Sequence, residues 1–416
     1  MGKYIINGGR KLSGSIKLES AKNAVLPMLA ASILTDEQVV IKNCPQIKDV
    51  YAMINILSSI GVTCKFENQN LIVDASGINS YAINQDLAGE LRSSIFMLGA
   101  LLSRFKRARM FSPGGCNIGL RPIDIHVSAL ERLGTIIHEI SGEIICSAKS
   151  ICGKEIYLDF PSVGATENIM LASVFAKGKT QIFNAAKEPE IVDLMNFLNS
   201  MGARIYGAGT STILIEGVKK LHGTEYQPIT DRIEAGTYLI AAAISGGEIE
   251  LTNCNSKNIS FLIHKLCDNA CKITINNDII YLNYKGGRKG FSLSTGPYPF
   301  FPTDLQAQTM SLLSVSDGVS LVTENVFEMR FRHVPELVKM GANICVKGQN
   351  AIITGVERLN GACVTAMDLR GGAALVLAGV NADGQTVVND VHHIERGYSS
   401  MDIKLRQLGA DIIKEN

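Results

Sequence analysis

The segment AKNAVLPMLAASIL (residues 21–34), followed by QVVIKN (38–43) and INILSSIGVTC (54–64), decides the fold, because the same succession recurs along the chain. As a helix, the first segment would be apolar on nearly every face, which is typical of a helix that is buried on every face. The second reads as a short strand. The third reads as an amphipathic helix that ends at a glycine and continues into a strand. One unit is therefore a buried helix, a strand, an amphipathic helix and further strands.

Five more copies follow, spaced by about 70 residues, and a fixed period of this kind indicates repeated structural units. The buried helices of these copies lie in LRSSIFMLGALLS (91–103), ATENIMLASVFA (165–176), RIEAGTYLIAAAI (232–244), TDLQAQTMSLLS (303–314) and LRGGAALVLAGV (369–380). Five amphipathic helices end at a glycine, which favours the left-handed conformation of a helix terminus: Gly61, Gly134, Gly202, Gly341 and Gly409. The fourth copy has Asn269 instead, and we expect Asn269 to adopt that conformation.

A chain of 416 residues is too long for one ordinary core, so the six units divide most simply into two domains of three. We expect an α/β protein with two inside-out α/β domains, each built of three repeated βαβ-type units around buried helices. The first domain is predicted to span residues 22–229. The second is predicted to combine residues 1–21 with residues 230–416.

Composition excludes several classes of function. Lys and Arg number 40 against 39 Asp and Glu, and a net charge of +1 gives no support to a nucleic-acid partner. The first residues lack the apolar core of a signal peptide, and the longest apolar run, residues 24–34, is too short to span a bilayer. We therefore expect a cytoplasmic protein without a membrane partner. Of the ten cysteines, Cys267 and Cys271 are closest in sequence, but a lone pair without a histidine cluster is weak evidence for a metal site, so no metal is expected.

The segment PGGCNIGLRPIDIH (113–126) carries the strongest signal of chemistry. It places Cys116 among glycines, with Arg121 five residues later, and a nearby cation can stabilise a thiolate. The alternative is a small buried hydrophobic residue, the usual role of a free cysteine. Flexible glycines on both sides argue against that alternative. His126, at the end of the segment, is more readily a structural histidine than a catalytic base.

Polar residues also stand at the N-terminal ends of the buried helices. If these helices run parallel within a domain, their N termini share one face and create a site for an anionic substrate, especially a phosphate. The residues concerned are Lys22, Asn23, Arg92, Ser162 to Glu167, Asp231, Arg232, Asp304, Asp368 and Arg370. Helix capping explains Asp231 and Asp368 equally well, and Thr303 or Asp304 could serve as a cap. Arg396, in a loop, reads by itself as a surface residue.

These motifs together resemble the UDP-N-acetylglucosamine 1-carboxyvinyltransferases, a family of enolpyruvyl transferases. The resemblance covers the whole chain and includes AKNAVLP, the Cys116 segment, PSVGATENIM (161–170), EPEIVD (188–193), TDRIEAGT (230–237), FPTDLQAQ (301–308), TENVFEMRF (323–331), DLRGGAALVLAG (368–379) and IERGY (394–398). It implies the enolpyruvyl transferase fold. It also implies transfer of enolpyruvate from phosphoenolpyruvate to the 3′-hydroxyl of UDP-N-acetylglucosamine, the first committed step of peptidoglycan synthesis, without a cofactor.

The resemblance also implies roles for individual residues. Cys116 acts as a general acid and is the target of fosfomycin, and Asp304 receives the hydroxyl proton. Lys22, Asn23, Arg92, Arg121 and Arg396 hold phosphoenolpyruvate and line its site, with Lys22 and Arg396 counted as catalytic. Nucleotide contacts come from Arg121, Pro122, Ile123, Asp124, Ile125, Ser162, Val163, Gly164 and Val326, while Asp368 and Arg370 lie near the domain junction. Four residues depart from the family pattern: Ser20, Phe160, Gly371 and Ser399.

Three other functions compete with this interpretation. A sister enolpyruvyl transferase that acts on shikimate 3-phosphate shares the repeats but lacks the cysteine segment. A ring-shaped clamp is also built of six repeated α/β units, but it needs a basic channel and not a net charge of +1. A thiol hydrolase would pair Cys116 with His126, although their spacing by itself gives no nucleophile–base geometry.

Overall fold

The computed structural model describes residues 2–114, 118–119 and 122–415, which divide into two compact units. The first unit comprises residues 20–114 and 122–229. The second comprises residues 2–19, 118–119 and 230–415. Ser20 and Ala21, which the sequence prediction assigned to the second domain, lie in the first unit, because the Ser20 hydroxyl accepts a hydrogen bond from Gln227 and the Ala21 N–H donates to Ile229.

The strands are short throughout the described residues. In chain order they are β1 (Lys3–Asn7), β2 (Ser13–Lys17), β3 (Val39–Ile41), β4 (Thr63–Glu67), β5 (Asn70–Asp74), β6 (Arg107–Phe111), β7 (Ile136–Ile140), β8 (Glu143–Ser147), β9 (Glu155–Tyr157), β10 (Lys179–Phe183), β11 (Arg204–Tyr206), β12 (Thr212–Glu216), β13 (Thr224–Tyr226), β14 (Glu248–Thr252), β15 (Cys271–Asn276), β16 (Ile279–Tyr284), β17 (Leu293–Ser294), β18 (Val319–Thr323), β19 (Asn343–Lys347), β20 (Asn350–Thr354), β21 (Cys363–Thr365), β22 (Gln385–Asn389) and β23 (Asp411–Glu415).

Apart from the short helix between residues 85 and 90, the helices alternate between buried and amphipathic segments. In chain order they are α1 (Lys22–Ala31), α2 (Lys48–Ser59), α3 (Gln85–Glu90), α4 (Phe96–Phe105), α5 (Asp124–Arg132), α6 (Val163–Ser173), α7 (Pro189–Ser200), α8 (Arg232–Ser245), α9 (Ser260–Asp268), α10 (Gln306–Leu313), α11 (Val334–Lys339), α12 (Leu369–Asn381) and α13 (Met401–Gln407). Single 3₁₀ turns at Arg92–Ile95 and Thr303–Leu305 lead directly into α4 and α10.

Three sheets surround the buried helices α1, α4 and α6 of the first unit. Their strand orders are β13-β3-β5-β4, β9-β10-β12-β11 and β6-β8-β7. In the two four-stranded sheets a short strand runs parallel to the strand that follows the buried helix, and a hairpin completes the sheet. A single parallel bridge between Ala82 and Arg109 takes the place of that short strand in the third sheet.

The second unit repeats this arrangement around α8, α10 and α12. Its strand orders are β2-β14-β16-β15, β17-β18-β20-β19 and β21-β22-β1-β23. Strand β1 supplies the third strand of the last sheet, so the N terminus completes a unit whose other strands come from the C-terminal end. Alternate strand residues are buried against the helices and the intervening residues face solvent, as in Thr212–Glu216 and Asn350–Thr354. Helices inside and sheets outside confirm the predicted inside-out α/β architecture.

The five glycines that end the amphipathic helices adopt positive φ angles between 92° and 100°, as predicted. The expectation for the fourth copy was wrong. Asn269 has a φ of −92°, and the next residue, Ala270, has a φ of 62°. Asn269 is fully buried, and its side-chain amide donates to the carbonyl of Lys289. Asn269 is the C-cap residue of α9, and Ala270 holds the position that directly follows the C-cap, where the other copies have glycine.

Candidate active site

The first unit pairs Lys22 with an acid at the start of the next helix. Lys22 is the first residue of α1, and its ammonium lies 3.1 Å from the Asp49 carboxylate in the first turn of α2. The side chains are only 13% and 7% exposed. A cation at a helix N terminus opposes the helix dipole, and Asp49 offsets that unfavourable interaction. Asn23, the next residue of α1, is half-buried.

The predicted nucleotide segments lie at the starts of two helices of the same unit. Pro122 and Ile123 precede α5, which begins with Asp124 and Ile125, and the Arg92 guanidinium donates to the Pro122 carbonyl at 3.2 Å. Ser162 caps α6 by accepting from the Ala165 N–H, and Val163 and Gly164 form the first turn. Unbonded N–H groups in such first turns are suited to bind anionic oxygens.

A buried asparagine connects these two segments. The Asn168 side-chain oxygen accepts from the Gly99 N–H at 2.7 Å, and its amide nitrogen donates to the Ile95 carbonyl and to His126 Nδ1, both at 3.0 Å. An amide nitrogen can only donate, so His126 Nδ1 accepts. A side chain at Gly164 would meet the His126 ring at 3.2 Å, which explains glycine at this position. His126 is therefore a structural histidine held by Asn168.

Buried acids lie near the starts of α6 and α7. Glu167 is 1% exposed, and none of the described residues forms a hydrogen bond with its Oε1. Burial raises the pKa of Glu167 well above its usual value, and the neighbouring Glu190 and Glu188 raise it further. Burial also raises the pKa of Asp193 to about 6, although Tyr226 and the Ile229 N–H donate hydrogen bonds to its carboxylate. Burial of Glu167 beside two other acids therefore favours its protonated form.

The second unit holds the Asp304 carboxylate between two arginines. One Asp304 oxygen accepts from Arg330 at 2.8 Å and the other accepts from Arg370 at 2.9 Å. Both arginines are nearly inaccessible, whereas the Asp304 side chain is 26% exposed. Nearby Asp304 raises the pKa of Arg370 far enough to offset the effect of its burial. Two fixed cations therefore orient a carboxylate that solvent or a substrate can still reach.

The other two candidate acids at helix starts of the second unit, Asp368 and Asp231, act as caps. Asp368 accepts from the Arg370 and Gly371 N–H groups at the start of α12, and Asp231 accepts from Ile233 and Glu234 at the start of α8. Thr303 and Asp304 do not cap α10, because Thr303 donates to Glu324 and Asp304 binds the arginines.

Glu324, which accepts the hydrogen bond from Thr303, also fixes the loop of the second unit that contains Val326. The other Glu324 carboxylate oxygen accepts from the N–H groups of Val326 and Phe327. Val326 is half-buried in this loop. Arg396, the last residue of the 3₁₀ segment Val391–Arg396, is also half-buried, which differs from the surface position that its local sequence suggests.

Cys116 and Arg121, the residues singled out in the glycine-rich segment, lie outside the described residues. Three residues that contribute to the candidate site were not identified from the sequence: Asp49, Arg330 and Asn168. Arg330 lies within TENVFEMRF and Asn168 within PSVGATENIM, so both occur in motifs that had been quoted. A polar residue inside an otherwise apolar helix was the available signal for Asn168, because buried polar groups need partners.

The four departures from the family pattern occupy different environments. Ser20 is buried and bonded to Gln227, and Gly371 has no room for a side chain, since an added Cβ would lie 2.9 Å from Asp368 Oδ2 and 3.0 Å from His333 Cβ. Phe160 is exposed and Ser399 is half-buried.

Two features of the structure concern metal binding and membrane insertion. Within the described ranges, no group of three or more His, Cys, Asp or Glu side chains has an arrangement that could hold a metal ion. None of the helices in that part of the chain has both the length and the apolar character needed to cross a membrane.

Solved structures share this architecture over nearly the whole chain. The enolpyruvyl transferase NikO from Streptomyces tendae superposes with a TM-score of 0.88 at 24% identity, covering 99% of this chain and 98% of that one. EPSP synthase from Acinetobacter baumannii superposes with a TM-score of 0.79 at 17% identity, covering 100% of both chains. At these identities the likeness concerns the fold alone, and the fold is that of the enolpyruvyl transferases.

Sequence comparison is more specific. A family model described as EPSP synthase (3-phosphoshikimate 1-carboxyvinyltransferase) matches residues 6–405. UDP-N-acetylglucosamine 1-carboxyvinyltransferase 2 of Caldanaerobacter subterraneus subsp. tengcongensis is 52% identical, with 100% of both chains covered. UDP-N-acetylglucosamine 1-carboxyvinyltransferase 1 of Clostridium acetobutylicum is 47% identical, with 99% of both covered. The chain belongs to the UDP-N-acetylglucosamine 1-carboxyvinyltransferase family, which confirms the resemblance found in its motifs.

Proposed function

We propose that this enzyme transfers the enolpyruvyl group of phosphoenolpyruvate to the 3′-hydroxyl of UDP-N-acetylglucosamine and releases phosphate, the first committed step of peptidoglycan synthesis. The observation that carries the proposal is the 52% identity, over the full length of both chains, to a relative of that name. Matches at 45–48% to further relatives of the same name support it.

The chemistry requires an acid, a base and several fixed cations. The hydroxyl oxygen forms a bond to C2 of phosphoenolpyruvate, C3 gains a proton, and the hydroxyl loses one. Loss of a proton from C3 and departure of phosphate then restore the double bond on the new ether. Proton transfers of this kind need groups positioned on either side of the reacting bond. A multiply charged anion needs cations whose position is fixed before it binds.

In the first unit, Lys22 and Asn23 hold phosphoenolpyruvate in this proposal, and Arg92 lines its site. Arg121, outside the described residues, grips phosphoenolpyruvate together with Arg396. The Lys22–Asp49 pair supports the role of Lys22, because it fixes a nearly buried ammonium at the start of α1 before an anion binds. Pro122, Ile123, Asp124 and Ile125 contact the nucleotide, together with Ser162, Val163 and Gly164. Cys116 delivers the proton to C3.

In the second unit, Asp304 receives the hydroxyl proton, Val326 contacts the nucleotide and Arg396 binds phosphoenolpyruvate. The orientation of Asp304 by Arg330 and Arg370 supports its role, since a carboxylate that is fixed but still partly exposed can accept a hydrogen bond from a substrate hydroxyl. Asp368 and Arg370 act near the substrates. Both substrates are intermediates of the cytoplasm, and we infer that the enzyme acts there.

The test is phosphate release from phosphoenolpyruvate with UDP-N-acetylglucosamine, with shikimate 3-phosphate, or with neither. Release that depends on the sugar nucleotide supports the proposal, and release that depends on the shikimate ester replaces it with the sister reaction. Cys116→Ala serves as the matched variant and should be folded and nearly inactive. Fosfomycin should add one molecule per chain by intact-mass spectrometry in the wild type and none in Cys116→Ala.

A further inference from the structure

The second unit contains a buried hydrogen-bond network centred on the Tyr398 hydroxyl. This hydroxyl lies 2.8 Å from Thr237 Oγ1 and 3.1 Å from Gln308 Nε2, and all three side chains are buried. Thr237 belongs to α8 and Gln308 to α10, whereas Tyr398 follows the 3₁₀ segment that ends at Arg396. One hydroxyl therefore connects two core helices with the Arg396 loop.

The direction of each bond follows from the available hydrogens. Thr237 donates its single hydroxyl hydrogen to the Ile233 carbonyl at 2.8 Å, so it accepts from Tyr398. Tyr398 has then used its hydrogen and accepts from Gln308. Burial raises the pKa of Tyr398, which keeps the phenol protonated and the chain of donors ordered. The bonds run from Gln308 through Tyr398 and Thr237 to the main chain of α8, and Gln308 Nε2 also donates directly to Thr237 Oγ1 at 3.2 Å.

The network reaches the Asp304 site along two routes. Gln308 Nε2 also donates to the main-chain carbonyl of Asp304 at 3.0 Å, which ties the network to the turn that holds the carboxylate. The Arg370 guanidinium, which binds Asp304, lies 5.2 Å from the centre of the Tyr398 ring. A cation at that distance from an aromatic ring is attracted to the ring. The Arg370 guanidinium also interacts with the Tyr398 hydroxyl, so both the ring and the hydroxyl of Tyr398 act on Arg370.

We propose that Tyr398 is a positioning residue for enolpyruvyl transfer. Its hydroxyl holds the Asp304 turn by way of Gln308, and its ring and hydroxyl together hold the Arg370 guanidinium. The inference rests on the proposed function, because it assigns Asp304 to the proton transfer of that reaction. Tyr398 touches neither substrate in this scheme. It acts by fixing the place and direction of the Asp304 carboxylate, and a displacement of about 1 Å at such a group can cost a hundredfold in rate.

Two substitutions separate the contributions of hydroxyl and ring. Tyr398→Phe removes the hydroxyl but keeps a ring beside Arg370, and we expect kcat to fall on the order of tenfold. Tyr398→Leu removes both, and we expect a larger fall. In both variants the KM for the sugar nucleotide should stay within about twofold, because a group that acts on the reaction step changes kcat rather than uniform binding.

Tyr238, which directly follows Thr237 in α8, offers a matched control. Its side chain is also fully buried in α8, and none of the described residues forms a hydrogen bond with its hydroxyl. Tyr238→Phe therefore removes a buried phenolic hydroxyl from the same helix without touching the network, and kcat should remain that of the wild type. An equal loss of kcat in Tyr238→Phe would overturn the inference, because any buried hydroxyl would then have the same effect.

Thr237→Val tests the same network if Tyr398→Phe does not fold. Valine has the shape of threonine but cannot accept the Tyr398 hydrogen, so kcat should fall as in Tyr398→Phe. The double variant Tyr398→Phe/Thr237→Val should lose no more than the larger single loss, because both changes break one chain of bonds. Independent multiplication of the two losses would overturn the inference.

Wild-type phosphate release, measured in the same assay with UDP-N-acetylglucosamine, separates failure of the inference from failure of the proposed function. An inactive wild type refutes the proposed function. An active wild type with an unchanged kcat in Tyr398→Phe, or a loss expressed only in KM, refutes the role of Tyr398. The expected result is that the wild type and Tyr238→Phe have the same kcat, whereas Tyr398→Phe has a lower kcat.

Discussion

Asn168→Leu is the most direct test of how the first unit is held together. Leucine has a similar size to asparagine but lacks the three hydrogen bonds that the Asn168 amide makes with Gly99, Ile95 and His126. A buried hydrogen bond contributes about 1 kcal/mol to stability, so the three account for about 3 kcal/mol.

We therefore expect the free energy of unfolding to fall by about 2–4 kcal/mol in Asn168→Leu. The assay is urea denaturation followed by circular dichroism, with the slope of the transition compared to confirm that the same surface is exposed. Asn55→Leu, at an exposed position of α2 in the same unit, is the control and should change stability by less than about 0.5 kcal/mol. A loss below about 1 kcal/mol in Asn168→Leu would refute the reasoning.

Three further predictions concern single contacts. Ala270→Gly should stabilise the protein by about 0.5–1 kcal/mol in urea denaturation, because Ala270 has a positive φ that glycine adopts without strain; an unchanged or lower midpoint would contradict this. Relative to the wild type, Glu167→Gln should become more stable as pH rises above about 4.3, by about 1.4 kcal/mol per pH unit until the raised pKa of Glu167 is reached. The reason is that the folded wild type keeps a proton on Glu167 that the unfolded chain releases. Parallel stability curves of the two proteins between pH 5 and 8 would show that Glu167 is not held protonated. Arg330→Met should lower kcat and reduce stability by about 1–3 kcal/mol, because it removes one of the two cations on Asp304, whereas an unaltered kcat with a folded variant would leave Asp304 positioned by Arg370 alone.

The repeated units were predictable because their signals are local. Apolar helices, terminal glycines and short strands each occupy fewer than about 15 consecutive residues, and the repetition made each copy support the others. The error at Asn269 arose from assigning the left-handed conformation to the wrong residue of that helix end. In each copy this conformation falls on the residue that follows the C-cap, and in the fourth copy that residue is Ala270.

The pairing within the candidate site was not predictable in the same way. Asp304 was identified from its motif, yet its two arginines lie 26 and 66 residues away, and no spacing rule connects them. Asp368 and Asp231 had two interpretations from sequence, and the structure shows both side chains occupied as caps. Long-range pairs of this kind follow only from how the helices of a unit pack.

One regularity connects the buried networks of the two units. Asn168, Thr237 and Gln308 are each the sixth residue of their segment, counted from Val163, Arg232 and Thr303 respectively. Each is a polar residue in an apolar helix, and each bonds to a neighbouring helix or to the turn at its start. Because a buried polar group is costly unless it is bonded, its recurrence at one level of a repeat indicates a layer of cross-helix bonds. That layer lies just behind the first turns that carry the proposed substrate-binding residues, so a change in it is expected to alter their positions without removing any of them.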